Sequence, residues 1–170
     1  FLGCVARVLD AETLAAAIRL LTRLGFDVVI PQNQTCCGAL QREAGRPEQA
    51  QVLARHNLDA FRAAGVDAII TTASGCGAVL ADSGKNDGTS TERHIRVLDI
   101  HQFLADVALP ESMTLAPLPV TIAVQDPCSL RNALRAEQAV YALLGRIPAA
   151  RIVPLAENHL CCGGAGAYPL

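Results

Sequence analysis

This sequence predicts an α/β protein with parallel strands, on three observations. Short β-branched runs alternate with longer amphipathic stretches, and Gly or Pro punctuates most of the joins. The order strand, Cys, helix, strand, Cys-Cys-Gly occurs twice, with Cys128 lying 124 positions after Cys4 and Cys161 lying 125 after Cys36. Alternating strands and helices give parallel sheets with right-handed crossovers, and a pattern repeated at a fixed offset signals internal duplication. The expected architecture is two related βαβ-type units, 1–109 and 120–170, separated by a Pro-rich linker over 110–119, with the second unit truncated.

The elements follow in order. Residues 11–24 predict a helix with Leu14, Ile18, Leu21 and Leu24 on one face, Asp10 as N-cap and Gly25 as stop. Residues 26–30 (Phe-Asp-Val-Val-Ile) predict a strand ended by Pro31. Pro47 opens a second helix that runs to about Ala64, with Ala50, Leu53, Ala54, Leu58 and Phe61 as its apolar face. Residues 68–72 predict the next strand. The polar stretch 82–93 predicts a mobile loop. A helical pattern resumes over 97–107 with Ile100, Phe103 and Leu104. In the second unit, 120–124 predicts a strand, 137–144 a helix and 151–155 a short strand.

Composition narrows the function. Apolar residues make up 51% and charged residues 18%, which suits a folded core. A net charge of -2 offers no basic face for nucleic acid. No apolar run reaches the roughly 20 residues of a membrane span. No signal peptide is evident, but the sequence opens on Phe1 rather than Met, so that observation carries little weight.

Seven cysteines in such a chain point to metal or redox chemistry. Adjacent cysteines are poor disulfide partners, because the preferred Cα separation exceeds that of chain neighbours. Two thiols held side by side are better suited to a shared metal centre. In parallel α/β sheets, sites form beyond the carboxyl ends of the strands, and the cysteines follow predicted strands there. Cys4 itself is expected to follow a strand that begins before Phe1. Cys4, Cys36, Cys37 and Cys76 form a set of four, and Cys128, Cys161 and Cys162 a set of three. Four thiolates match an iron–sulfur cluster, [4Fe–4S] or [2Fe–2S], and equally a structural zinc site. Close C-x2-C pairs of a zinc ribbon and the clustered cysteines of bacterial ferredoxins are both absent. The residues by themselves give a sulfur-ligated centre, with four buried structural thiols as the plainer alternative. Nearby glycines (Gly38, Gly75, Gly77, Gly163, Gly164, Gly166) are expected to let backbone approach such a centre.

Gly3-Cys4-Val5, 33–40 (Asn-Gln-Thr-Cys-Cys-Gly-Ala-Leu) and 73–77 (Ala-Ser-Gly-Cys-Gly) resemble the cysteine-rich CCG-domain family, as do Asp126-Pro127-Cys128 and 160–166. The likeness is strongest to the C-terminal half of the glycolate oxidase iron–sulfur subunit. Related members are the B subunit of heterodisulfide reductase and the lactate-utilisation proteins. The resemblance implies an electron-transfer subunit that relays electrons from flavin-containing partner subunits oxidising glycolate to glyoxylate. It further implies a [4Fe–4S] cofactor, with zinc as the alternative, and a ferredoxin-like region before Phe1. The expected location is cytoplasmic, with peripheral attachment at the inner face of the membrane as a variant. The resemblance makes Cys4, Cys36, Cys37, Cys76, Cys128, Cys161 and Cys162 the cofactor ligands and assigns no catalytic residue.

Three departures bear on this. The C-x-x-C pair of heterodisulfide reductase would place a fifth cysteine at Val79, so a four-cysteine first site is expected. Ser129 stands where relatives often carry His. The counterpart of Cys76 falls 39 positions after Cys162, beyond Leu170, leaving three ligands of the second site in this chain. Two other functions compete: a zinc-bound structural module, and a thiol–disulfide oxidoreductase acting through Cys36-Cys37. His159 is weighed as a tuning group against a solvated loop histidine, and His56, His94 and His101 are taken as surface residues. Arg131 and Asn132 are weighed as facing a negative cluster against bonding at a helix start. The Gly163–Gly166 run lacks the strand-to-helix G-x-G-x-x-G fingerprint of a nucleotide site.

Overall fold

Leu58, Phe61 and Ile69 pack together almost without exposure, and this cluster joins the longest helix to the first strand. Burying each such side chain stabilises the fold by about 1.5–3 kcal/mol. The structure is a computed structural model that describes residues 1–85 and 95–164. Its helices are α1 (Ala6–Leu9), α2 (Ala11–Arg23), α3 (Ala39–Glu43), α4 (Pro47–Ala63), α5 (Ser74–Lys85), α6 (Ile100–Ala105) and α7 (Glu137–Leu144). A π-helical turn, Ser129–Leu134, precedes α7 and ends at Arg135, whose φ is 54°. The strands are β1 (Ala68–Thr71), β2 (Arg96–Asp99), β3 (Thr121–Val124) and β4 (Arg151–Pro154).

The strands form two parallel pairs, so the α/β class holds. β1 pairs with β2 in the register Ala68↔Arg96, and β3 with β4 in the register Thr121↔Arg151. The helix over 11–24, the helix over 47–64 and all three elements of the second unit fall within a residue of expectation. Gly25 and Gly65 end α2 and α4 with positive φ. Pro47 stands at the first position of α4, where its missing N–H costs nothing.

Four expectations are corrected. Residues 97–107 are not one helix: Arg96–Asp99 is a strand, and the Asp99 side chain accepts from the backbone N–H of His101 to open α6. The apolar repeat that suggested a helix belongs to α6 alone. Residues 26–30 join no ladder among the described residues. Asp10 does not cap α2 through its side chain; its carboxylate accepts the Thr13 hydroxyl instead. The polar stretch 82–93 begins inside α5, and its remainder, like His94, Ala165 and Gly166, lies outside the described residues.

A second cluster, Leu21 with Ile100 and Leu104, joins α2 to α6, and Leu143 of α7 packs against it. The Arg146 guanidinium donates to the carbonyls of Ala105 and Val107, tying the end of α7 to the end of α6. Among the described residues no helix is long and apolar enough to cross a membrane.

Candidate metal centre

Strand ends and helix starts place the thiols. Cys76 comes five residues after Thr71, in the first turn of α5, and Cys128 four residues after Val124, at the start of the π-helical turn. Cys4 immediately precedes the short segment that opens α1, and Cys36 and Cys37 precede α3. Loops remote in sequence thus meet at one edge of the first unit. The Cys4 thiol donates to Cys36 Sγ at 3.3 Å and the Cys37 thiol to Cys76 Sγ at 3.0 Å. Each contact joins different loops, and none of the seven cysteines is in a disulfide.

Cys37 is 2% exposed and belongs to the hydrophobic cluster of Ala54, Val79 and Leu80, with Cys76 packed against it. Val79 therefore fills the place beside the thiols where a fifth cysteine would have stood. The thiols differ in acidity. The Cys37 S–H bond holds Cys76 below the ordinary thiol value, against the opposing effect of burial. Cys37 is raised, first because its proton is committed to Cys76 and then by burial. Burial, followed by the bond to Cys36, raises Cys4.

Backbone donors point at the sulfurs in both units. The N–H of Gly38 donates to Cys36 Sγ, that of Ala39 to Cys37 Sγ and that of Gly163 to Cys161 Sγ, each at 3.4 Å. Such donation stabilises thiolate and tunes any centre it holds. The glycine expectation divides. A Cβ on Gly38, whose φ is 91°, would lie 2.6 Å from the Ala50 carbonyl oxygen, and one on Gly77 would lie 2.6 Å from Thr71 Oγ1. These two glycines permit close packing of protein on protein rather than approach to a ligand. Gly75 and Gly163 face open space, and Gly164 lies near Cys162 Sγ.

Amide side chains brace the cysteine loops, a feature the sequence reading missed. Asn57 of α4 is fully buried; it accepts from the Thr35 N–H and donates to Thr35 Oγ1 and to the carbonyls of Cys36 and Leu53. A signal existed: Asn57 occupies the apolar stripe at the seventh position after Ala50. Gln34 accepts from the Leu2 N–H at 2.9 Å, binding the Cys4 loop to the Cys36 loop. Asn158 repeats this in the second unit, accepting from the Asp126 N–H at 2.8 Å, and Asp126 is the 124-offset counterpart of Leu2.

The second set is more open. Cys161 and Cys162 are exposed and Cys128 is half-buried, and no sulfur–sulfur contact joins the three. Their loops are nonetheless organised. The buried Asp126 carboxylate accepts from the Tyr141 hydroxyl at 3.0 Å and from Asn158 Nδ2 at 2.9 Å. Burial, then this bond, raises Tyr141. The Arg131 guanidinium donates to the carbonyls of Asn158 and His159, holding the turn before Cys161. His159 contributes that carbonyl and is itself exposed. His56 is exposed on α4, with Nε2 beside the Asn33 carbonyl, while His101 Nδ1 lies 2.8 Å from Asp99.

The donor chemistry of the first set fits a sulfur-ligated cluster. All four groups are thiols, one is buried in the core, and two receive backbone N–H groups. The sulfurs stand as two contacting pairs rather than as a cage around one ion. Among the described residues no group of three or more His, Cys, Asp or Glu is placed to hold a single metal ion. Tetrahedral zinc with sulfur at about 2.3 Å sets sulfurs about 3.8 Å apart and a multi-iron cluster sets them wider still, so either centre requires both contacting pairs to open.

Comparison with known proteins agrees with the cysteine pattern. The chain is 34% identical over 175 residues to the "Probable glycolate oxidase iron-sulfur subunit" of Bacillus subtilis (strain 168), covering 99% of this chain and 39% of that protein. It is 32% identical to the "Glycolate oxidase iron-sulfur subunit" of Escherichia coli (strain K12), covering 99% and 43%. It is 31% identical to one of the subunits of the fumarate reductase (CoM/CoB) of Methanothermobacter marburgensis, covering 98% and 32%. The chain thus spans about a third to two fifths of the length of these relatives. The profile of the CCG family, described as a cysteine-rich domain, matches residues 1–81 and 122–170, the two stretches that carry all seven cysteines. The chain belongs to the cysteine-rich CCG-domain family.

Proposed function

We propose that this chain is part of an iron–sulfur electron-transfer subunit of a glycolate oxidase (glycolate dehydrogenase) complex. Cys4, Cys36, Cys37 and Cys76 hold one centre, which we take to be [4Fe–4S]. Cys128, Cys161 and Cys162 are three ligands of a second. The two units occupy 1–109 and 120–170, on either side of the linker 110–119. Flavin-containing partner subunits oxidise the 2-hydroxy acid, and the protein works in the cytoplasm, free or at the inner face of the membrane.

The observation that carries this reading is the pairing of thiols from loops remote in sequence, Cys4 with Cys36 at 3.3 Å and Cys37 with Cys76 at 3.0 Å. When bound, an iron–sulfur cluster supplies one-electron redox chemistry over a potential range set by hydrogen bonds, charge and solvent access. The chain's residues supply those settings. Gly38 and Ala39 N–H groups offset negative charge on two sulfurs. The Ala54, Val79 and Leu80 side chains keep water from Cys37. Asn57 holds the Cys36 loop in place. Two of the relatives above carry the name glycolate oxidase iron-sulfur subunit, one of them as probable, which supports glycolate as the acid oxidised.

The test is anaerobic purification followed by iron and labile-sulfide analysis, visible absorption and EPR. Iron and sulfide in cluster proportion with a broad visible band are expected. Colourless protein with stoichiometric zinc and no labile sulfide would overturn the proposal in favour of a zinc module. Disulfide turnover that survives iron removal and is lost in Cys37→Ser would overturn it in favour of a thiol–disulfide oxidoreductase.

A further inference from the structure

We infer that the first unit contains a slot for one more parallel strand, filled by an extended segment that runs directly into Phe1 and pairs between residues 26–29 and β1. A cleft of about 450 Å³ marks the slot. One wall is the five consecutive residues Phe26–Ile30; the other includes the alternate β1 positions Ala68 and Ile70, and Leu14, Phe61 and Phe103 line the interior. Such a mixture of backbone edge and apolar interior is what a buried parallel strand requires. β1 pairs with β2 as a two-stranded sheet. The nitrogen of Phe1 already donates to the Ile70 carbonyl at 2.7 Å, so the chain enters along β1 at this cleft.

The internal duplication supplies the register. In the second unit β3 leads to Cys128, β4 leads to Cys161-Cys162, and the two pair in parallel with Thr121 opposite Arg151. The offset that carries Cys128 onto Cys4 carries Thr121–Val124 onto the four positions immediately before Phe1. The offset that carries Cys161 onto Cys36 carries Arg151–Pro154 onto residues 26–29. The counterpart of β4 is therefore the stretch that joins no ladder, and the counterpart of β3 is the strand missing beside it. A run of edge backbone that joins no ladder is a template for a further strand, and residues 27–29 present one here. The incoming strand would end at Gly3-Cys4, so its seating also fixes the first thiol of the set, whatever metal that set holds.

The test compares three proteins by amide hydrogen exchange and size-exclusion chromatography: the chain as it is, the chain with Val-Thr-Ile-Ala-Val (a copy of residues 120–124) fused before Phe1, and the chain with Val-Pro-Ile-Pro-Val fused there. The first fusion should slow exchange at Val28 and Ile30, the counterparts of the β4 positions that donate to β3, by at least about tenfold. The proline fusion, lacking the donors, should leave exchange as in the unextended chain. Unchanged exchange in the first fusion, or equal protection by both fusions, would overturn the inference. Concentration-dependent protection of the unextended chain together with a dimer would also overturn it, because a second copy would then fill the slot. None of these readouts depends on iron, so the outcome is separable from that of the proposed function.

Discussion

The two Cys-Cys-Gly loops share a local pattern but stand in different surroundings. Cys37 is 2% exposed in a packed cluster, whereas Cys161 and Cys162 are exposed. In both units a glycine N–H reaches the first sulfur of the pair at 3.4 Å, so the two copies keep the same local turn. The difference comes from what packs on the loop. In the first unit α3 and α4 follow Gly38 and cover it, with Gly38 admitting Ala50 at a distance no side chain would allow. The lesson is that the triplet specifies how the thiols are presented, while helices laid over it specify whether they are dry.

Removing one thiol from each set should produce the largest difference between the two loops. Cys37→Ser should all but abolish iron and labile sulfide retained after anaerobic reconstitution, because lost ligand support costs at least about tenfold to a hundredfold in affinity. Cys161→Ser should leave the iron of the first set in place. Iron and sulfide per chain, with the visible spectrum, decide the matter. Equal losses in the two variants would mean that the sets do not differ as proposed.

The bracing amides come next in size. Asn57→Ala leaves the Thr35 N–H and the Cys36 carbonyl without their buried partner, and should cost about 2–4 kcal/mol in urea unfolding. Asn158→Ala acts in a half-exposed loop where water can replace it, and should cost about 1–2 kcal/mol. A reversed order would show that the second unit, not the first, is the more tightly built.

How legible these features are in sequence follows from their range. Cysteine spacing, the doubled pattern and the long amphipathic helices α2 and α4 are periodic over many residues, so they can be read directly. Arg96–Asp99 is too short for a period of two to register, and the apolar positions of α6 next to it complete a false helical repeat. Residues 26–30 have strand composition, but a strand needs a neighbour, and pairing is not written in the residues that lack it. Asn57 shows itself only as a polar residue on an apolar stripe. Asn158 sits in a loop where nothing local marks it, and Arg131, though noticeable beside Cys128, takes its role from which carbonyls the fold brings near.

Thiol reactivity sharpens the contrast without mutation. In the metal-free, reduced chain, Cys161 and Cys162 should react with iodoacetamide at least about tenfold faster than Cys37, since a buried thiol must wait for local opening. Peptide mapping over a time course gives the order. Faster labelling of Cys37 would show that the α3–α4 cover opens readily and that its dryness is not maintained in solution.

The smallest effect concerns the link between the regions. Ser74, two residues before Cys76, and Ser129, one after Cys128, share a hydroxyl hydrogen bond of 2.7 Å. Each is half-buried, so Ser129→Ala should cost only about 0.5–1.5 kcal/mol, and Ser74→Ala about the same. The informative quantity is the double variant. If the two hydroxyls act through one bond, losing both should cost little more than losing either, measured as urea midpoints on all four proteins. Full additivity would mean that the bond contributes nothing. The units would then be joined at this point by packing alone, where α5 lies close enough to the π-helical turn that a Cβ on Gly77 would come 3.3 Å from Leu134 Cδ1. A strong coupling would instead tie the placement of Cys76 to that of Cys128, so that disturbing the exposed set would be felt at the buried one.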